Sequence, residues 1–243
     1  HMTCEIAADK DGTLNALRIK TLADHGYADA AANPSKFPAG MFSICTGSYD
    51  FKNAFVEVDG VYTNKPPGGI AYRCSFRVTE AVHAIERMVD VVADELGLDA
   101  AEIRMKNFIS KDAFPYHSPT GWEYDSGDYH GMFDKLEENA DYQGMRAAQT
   151  KAKKDGRLVG IGVGGSVEAS GYGPAATVGA LGFYGGMWEH GGIRVHPTGK
   201  VTAFTGSHAH GQGHETAFAQ LITERLGVPF EQVEVVHLSL IHI

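Results

Sequence analysis

Residues 68–97 read GGIAYRCSFRVTEAVHAIERMVDVVADELG, and the fold follows from the change of period inside this stretch. From Val78 on, Ala81, Val82, Ile85, Met88, Val89, Val92 and Leu96 recur at steps of three and four, which is one face of an α-helix. Gly97 ends the pattern, so the spacing predicts an amphipathic helix of about five turns over 78–96. Just before it come paired glycines and then a cysteine, Cys74, flanked by Arg73 and Arg77.

Upstream the period is two. CEIAADKDGTLNALRIKTLADHG (4–26) predicts a hairpin turning at Asp11-Gly12, and FVEVDGVYTN (55–64) predicts a second one around Asp59-Gly60, with NPSKFPAG (33–40) as a loop. Downstream, Asp99 is placed to cap a short helix, AAEIRMKNF, with Ile103 and Phe108 facing inward. The stretch KDAFPYHSPTGWEYDSGDY (111–129) is aperiodic and reads as a long ordered loop or junction, and 131–154 reads as helix with one polar face. LVGIGVGGSVEAS (158–170) predicts a strand, and a glycine and aromatic stretch, ALGFYGGMWEHGG, follows at 180–192. Next come the strands GIRVHP and KVTAFTG joined by a Pro-Thr-Gly turn, and the glycine loop SHAHGQG. The helix HETAFAQLITERLG, with Phe218, Leu221, Ile222, Arg225 and Leu226 at helical spacing, leads through VPFEQ to the strand VEVVH. Strand, glycine loop, helix and strand make a plausible crossover unit. The fold class expected is mixed α+β.

The chain has 243 residues, with 43% hydrophobic and 21% charged, so neither a disordered nor a fibrous protein is indicated. Its net charge of −9 and its lack of a basic run beyond Lys151, Lys153 and Lys154 argue against nucleic acid as a partner. No apolar stretch reaches the length of a membrane span and the start carries no signal-peptide pattern, so the expected place is the cytoplasm. Three cysteines without CxxC spacing argue against an iron-sulfur site or a disulfide framework in this chain. Thirty glycines, clustered in short runs, suit loops that approach a ligand closely.

Three stretches carry chemistry. Cys74 reads either as a small buried hydrophobe or as a thiolate, because two arginines and a helix start both depress a thiol pKa. A thiolate is soft and suits Cu(I). SHAHGQGHE (207–215) reads as an anion cradle, since Gly211 and Gly213 free the backbone and the N–H groups of Gln212, Gly213 and His214 open a helix. The same stretch is open to a metal site on its histidines, and to the plain reading of a helix terminus with solvated histidines. GIGVGG (160–165) is a formal G-x-G-x-x-G, but no convincing helix or ribose-binding acid follows it.

GGIAYRCSFRVTEAVHAIERMVD, preceded by VYTNKPPGG, resembles the active-site loop and following helix of the molybdenum-binding large subunit in the CO-oxidising branch of the xanthine dehydrogenase family of molybdenum hydroxylases. The likeness continues through ADHG (23–26), PAGMFSICTGSYD (38–50), GWEYDSGDY (121–129), RVHPTG (194–199) and GQGHETAFAQ (211–220). It implies parts of two molybdopterin-binding domains: the C-terminal part of the first at 1–115, a connecting segment at 116–156, and the N-terminal part of the second at 157–237. LSLIHI (238–243) is expected to be a non-native tail and the chain an internal fragment.

The resemblance also implies roles. Cys74 would bind Cu(I), with Arg73, Ser75 and Phe76 around the metals. Gly69, Ala71, Tyr72, Gln212, Gly213 and His214 would contact molybdopterin cytosine dinucleotide carrying molybdenum. The implied reaction is carbon monoxide plus water to carbon dioxide, two protons and two electrons. Electrons would leave through an iron-sulfur small subunit and an FAD-binding medium subunit, in a dimer of heterotrimers, and the inner face of the cell membrane joins the cytoplasm as an expected location. The family's upstream glycine-rich segment and its glutamate base are not in this chain, so the chain by itself is expected to be inactive and poorly stable, and 166–192 matches the pattern less well. Two alternatives stay open: a molybdenum hydroxylase of aldehydes or N-heterocycles, against which Cys74 argues, and a zinc amidohydrolase using His208 and His210, which lacks its downstream Lys, His and Asp set. A cofactor-free interaction module is a further class, disfavoured by the glycine loops.

Overall fold

The computed structural model describes residues 1–27, 44–66, 78–167, 190–209 and 211–237, and the chain divides into two compact units, 1–169 and 170–243. The expectations for NPSKFPAG, for most of ALGFYGGMWEHGG, for residues 67–77 and for LSLIHI fall outside the described residues.

The first unit is a three-stranded sheet covered on one face by helices. Strand β1 (Met2–Ala8) and strand β2 (Leu14–Asp24) form the predicted antiparallel hairpin, with Gly12 at φ +86° in its turn. Period two explains the burial along β2, where Leu17, Ile19, Thr21 and Ala23 point into the core. The opposite face carries cross-strand ion pairs, Arg18 with Glu5 at 3.2 Å and Lys20 with Glu57 at 2.9 Å. Strand β3 (Asn53–Val61) corrects the second hairpin: it is continuous through Asp59 and Gly60 and runs parallel to β2. Glycine is needed there for space, since a Cβ at Gly60 would lie 2.8 Å from Nε2 of buried His25.

Helix α1 (Val78–Leu96) occupies the predicted span and buries Ala81, Ala84, Ile85, Val89, Val92 and Ala93 in the core shared with Leu14, Leu17 and Ile19. Asp99 caps helix α2 (Ala100–Asn107), accepting from the Ala101 N–H at 2.8 Å, and Ile103 and Phe108 are buried as expected. Asn107 fastens α2 to the hairpin turn, because its amide donates to the Gly12 carbonyl and accepts from the Leu14 N–H, both at 2.8 Å. Within 111–129 a 3₁₀ turn and a two-residue ribbon, strand β4 (Tyr116–His117) with strand β5 (Glu123–Tyr124), give the junction its order. The helical stretch that follows is two helices, α3 (Tyr129–Ala140) and α4 (Tyr142–Lys154), broken at Asp141, which adopts φ 48° and caps α4. The strand expected at 158–170 does not form in its described part: 157–167 pairs with no strand, and Ile161, Val163 and Val167 pack on the first core instead.

The second unit contains strand β6 (Gly191–Val195) paired antiparallel with strand β7 (Val201–Thr205), joined by a turn with Gly199 at φ +86°. Helix α5 (His214–Leu226) follows, and strand β8 (Val233–His237) then pairs parallel with β7, which is the predicted crossover. Val201, Ala203 and Ile222 form its small core with Val228, Val233 and Val235, whereas Leu221 is 54% exposed. Among the described residues no helix is long and apolar enough to cross a membrane.

Candidate functional site: a glycine loop and helix terminus in the second unit, and the stem of the cysteine loop in the first

Parallel pairing of β7 and β8 puts Thr205 opposite His237 at the C-terminal end of both strands. The chain leaves β7 there and returns as α5, and this end of an open α/β sheet is where a ligand meets loops and helix N-termini together. Gly211 and Gly213 both hold positive φ, at +105° and +76°, with nothing near their missing Cβ atoms, so the backbone conformation and not close packing requires glycine. Gly213 is the N-cap of α5 and offers no side-chain cap, so the first N–H groups of the helix have no intrahelical acceptor. Donors and macrodipole therefore favour an anion at this end.

Side chains order the loop. The Gln212 amide nitrogen lies 3.2 Å from the His208 carbonyl, to which it donates, and 2.9 Å from His214 Nε2. With that amide donating to Nε2, the His214 proton sits on Nδ1, an atom that is buried and has no hydrogen-bond partner. The ring itself stacks on Phe218 at 5.0 Å. An unmatched donor beside an uncapped helix start fits the phosphate-bearing tail of a pterin cofactor. Among the described residues no group of three or more His, Cys, Asp or Glu gathers, and His210 lies outside them.

Gln212, Gly213 and His214 lie at the start of α5. Gly69, Ala71, Tyr72, Arg73, Cys74, Ser75 and Phe76 lie outside the described residues. Both flanks of their loop are in view. Downstream, α1 starts at Val78. Upstream, residues 61–65 are tied to 25–27 by His25 N–H to Val61 O at 2.9 Å, Thr63 N–H to Gly26 O at 2.8 Å and Tyr27 N–H to Lys65 O at 3.0 Å. Asp24 completes the stem by accepting from Thr63 Oγ1 at 2.7 Å and Gly26 N–H at 2.9 Å, and by pairing with Lys65 Nζ at 2.8 Å.

The Lys65 bond first, then Thr63 and the Gly26 N–H, hold the Asp24 carboxyl far below the usual carboxylate range. A depressed folded pKa contributes stability above the unfolded value of about 3.9, and that contribution disappears as pH falls below it toward the folded value. The melting-temperature gap between the complete wild-type subunit and its Asp24→Asn variant is therefore expected to be constant from neutrality to about pH 5 and to close below about pH 4. A gap that persists unchanged to the acid limit would contradict this.

Two arrangements were not read from the sequence. Glu215 on the first turn of α5 pairs with His237 at 2.6 Å across 22 residues. In the first unit, Arg104 lies wholly buried against Glu86 and Asp90. Polar residues on an amphipathic helix ordinarily read as its solvent face, and only their position among the apolar residues of α1 and α2 signals otherwise.

Residues 1–108 and 135–240 each match the molybdopterin cofactor-binding domain. The chain belongs to this family and comprises parts of two such domains. Within it, the chain is similar to the carbon monoxide dehydrogenase large chain of Hydrogenophaga pseudoflava, at 52% identity over 97% of this chain and 29% of that relative. It is 49% identical to a solved Cu,Mo-CO dehydrogenase with a TM-score of 0.77, covering 98% of this chain and 30% of the other. The nicotine 6-hydroxylase large subunit of Paenarthrobacter nicotinovorans is 31% identical over 96% of this chain and 28% of that subunit. The chain thus spans under a third of the length of these relatives.

Proposed function

We propose that this chain is a cofactor-holding part of a catalytic subunit that oxidises carbon monoxide with water to carbon dioxide. The supporting observation is the gap in likeness over one span: 52% identity to a carbon monoxide dehydrogenase against 31% to a hydroxylase of an N-heterocycle.

The residues take the following parts. The uncapped N–H groups after Gly213, with Gln212 and the unmatched His214 Nδ1, bind the anionic portion of molybdopterin cytosine dinucleotide. Gly69, Ala71 and Tyr72 would hold the same cofactor. Cys74 would hold Cu(I), with Arg73 and Arg77 beside it in the sequence favouring the thiolate, and Ser75 and Phe76 would shape the approach of a small gaseous substrate. When bound, the molybdenum and copper supply the two-electron redox chemistry and the polarisation of carbon monoxide. Electrons pass to partner subunits carrying iron-sulfur clusters and FAD, in a dimer of heterotrimers on the cytoplasmic side of the cell membrane.

The test is elemental analysis for molybdenum, copper and zinc on the complete subunit purified with its partners. Molybdenum and copper in near-equal amounts are expected. Molybdenum without copper would make the enzyme a hydroxylase of organic substrates, and zinc alone would overturn the reading.

A further inference from the structure

A carboxylate sits where the anionic cofactor is proposed to bind. Glu215 is the acidic residue of the first turn of α5, two positions after Gly213. Its carboxylate is held below its usual pKa first by its own backbone N–H and then by His237, so it is ionised and folded onto the helix terminus. Uncorrected, that charge would repel a phosphate at the same terminus and would compete for its N–H groups. His237 approaches from the end of β8, four-fifths buried, with Nε2 2.6 Å from Glu215 Oε1. Its ring centroid also lies 6.2 Å from that of His208, whose carbonyl receives the Gln212 amide. The histidine therefore touches the carboxylate directly and adjoins the loop whose placement matters.

We infer that His237 is a positioning residue for the glycine loop, holding the Glu215 carboxylate back through their 2.6 Å contact so that the start of α5 accepts an anionic ligand. This rests on the reading of Gln212, Gly213 and His214 as cofactor contacts. Loss of His237 alone leaves a competing anion at the terminus, whereas loss of both members removes the competitor together with the group that restrains it.

The experiment compares wild type, His237→Leu, Glu215→Gln and the double variant in the complete enzyme with its partner subunits. It measures molybdenum and acid-released nucleotide retained per subunit after prolonged dilution. His237→Leu is expected to lower both about fivefold, the size of an uncompensated charge at a helix end. Glu215→Gln keeps them near wild type, and the double variant recovers them. Wild-type retention in His237→Leu would overturn the inference. So would a double variant as poor as His237→Leu, which would make the histidine a packing element, or a loss in Glu215→Gln, which would make Glu215 itself a contact. Wild-type enzyme that carries no molybdenum or nucleotide would overturn the reading of the loop, and this inference with it.

Discussion

Replacing Cys74 with alanine in the complete enzyme is expected to remove copper and lower carbon monoxide oxidation by at least about a hundredfold, while molybdenum stays at its wild-type level. The other two cysteines show what this position avoids. Cys45 is fully buried, and burial pushes its thiol up to about 12, so it remains a neutral packing group. Cys4, half-buried on β1, is raised by the same cause. Only Cys74 has two arginines within three residues and a helix opening four residues later, an arrangement that favours the charged sulfur which a soft metal requires. Two measurements check it, copper per molybdenum and the turnover of carbon monoxide. Equal loss of both metals would instead assign Cys74 to the shape of the loop, and unchanged copper would remove it from the site.

What the sequence disclosed depended on whether a feature was local. Helix α1 and the β7, α5, β8 crossover were legible because their apolar periods run unbroken for several turns or pairs and glycines mark their ends. The stretch around Asp59-Gly60 misled, since this dipeptide is a strong local hairpin signal. The glycine there answers a neighbour from another strand, His25, and not a turn. The segment 157–167 misled for a related reason: its alternating small and branched residues look like a strand, but their partners are the buried side chains of the first core. At the candidate site, the glycine loop was legible from its positive-φ residues. The Glu215 and His237 pair was not, since only parallel registration of β8 on β7 brings the two together. Pairing across 22 residues leaves no periodic trace in the sequence.

The same principle explains the largest stability effect expected in this chain, that of Arg104→Met. Arg104 is 0% exposed and every face of its guanidinium is occupied: Nε donates to Glu86 Oε2 at 2.8 Å, one terminal nitrogen to the Ala100 carbonyl at 2.8 Å, and the other to the Glu86 carbonyl at 3.2 Å and Asp90 at 2.9 Å. Tyr49 closes the network by donating to Glu86 Oε1 at 2.8 Å. Burial works against the guanidinium's charge, yet Tyr49, Glu86 and Asp90 outweigh it and its pKa is raised. Methionine fills much of the volume but leaves the Glu86 carboxylate, itself only 8% exposed, without its cation. Removing one member of a buried pair costs about 3–5 kcal/mol, chiefly through the stranded charge. Asp90 contributes little to that cost, because its side chain is partly open to water. Hydrogen exchange at the amides of α1 in the complete subunit should read the change as about two to four powers of ten in lost protection. Adding Glu86→Gln removes the stranded charge and keeps an acceptor for Tyr49, so the double variant is expected to regain more than half of the loss. If Arg104→Met alone shifts protection by less than tenfold, the network is not what fixes α1 against α2, and α1 must be held by its apolar face alone.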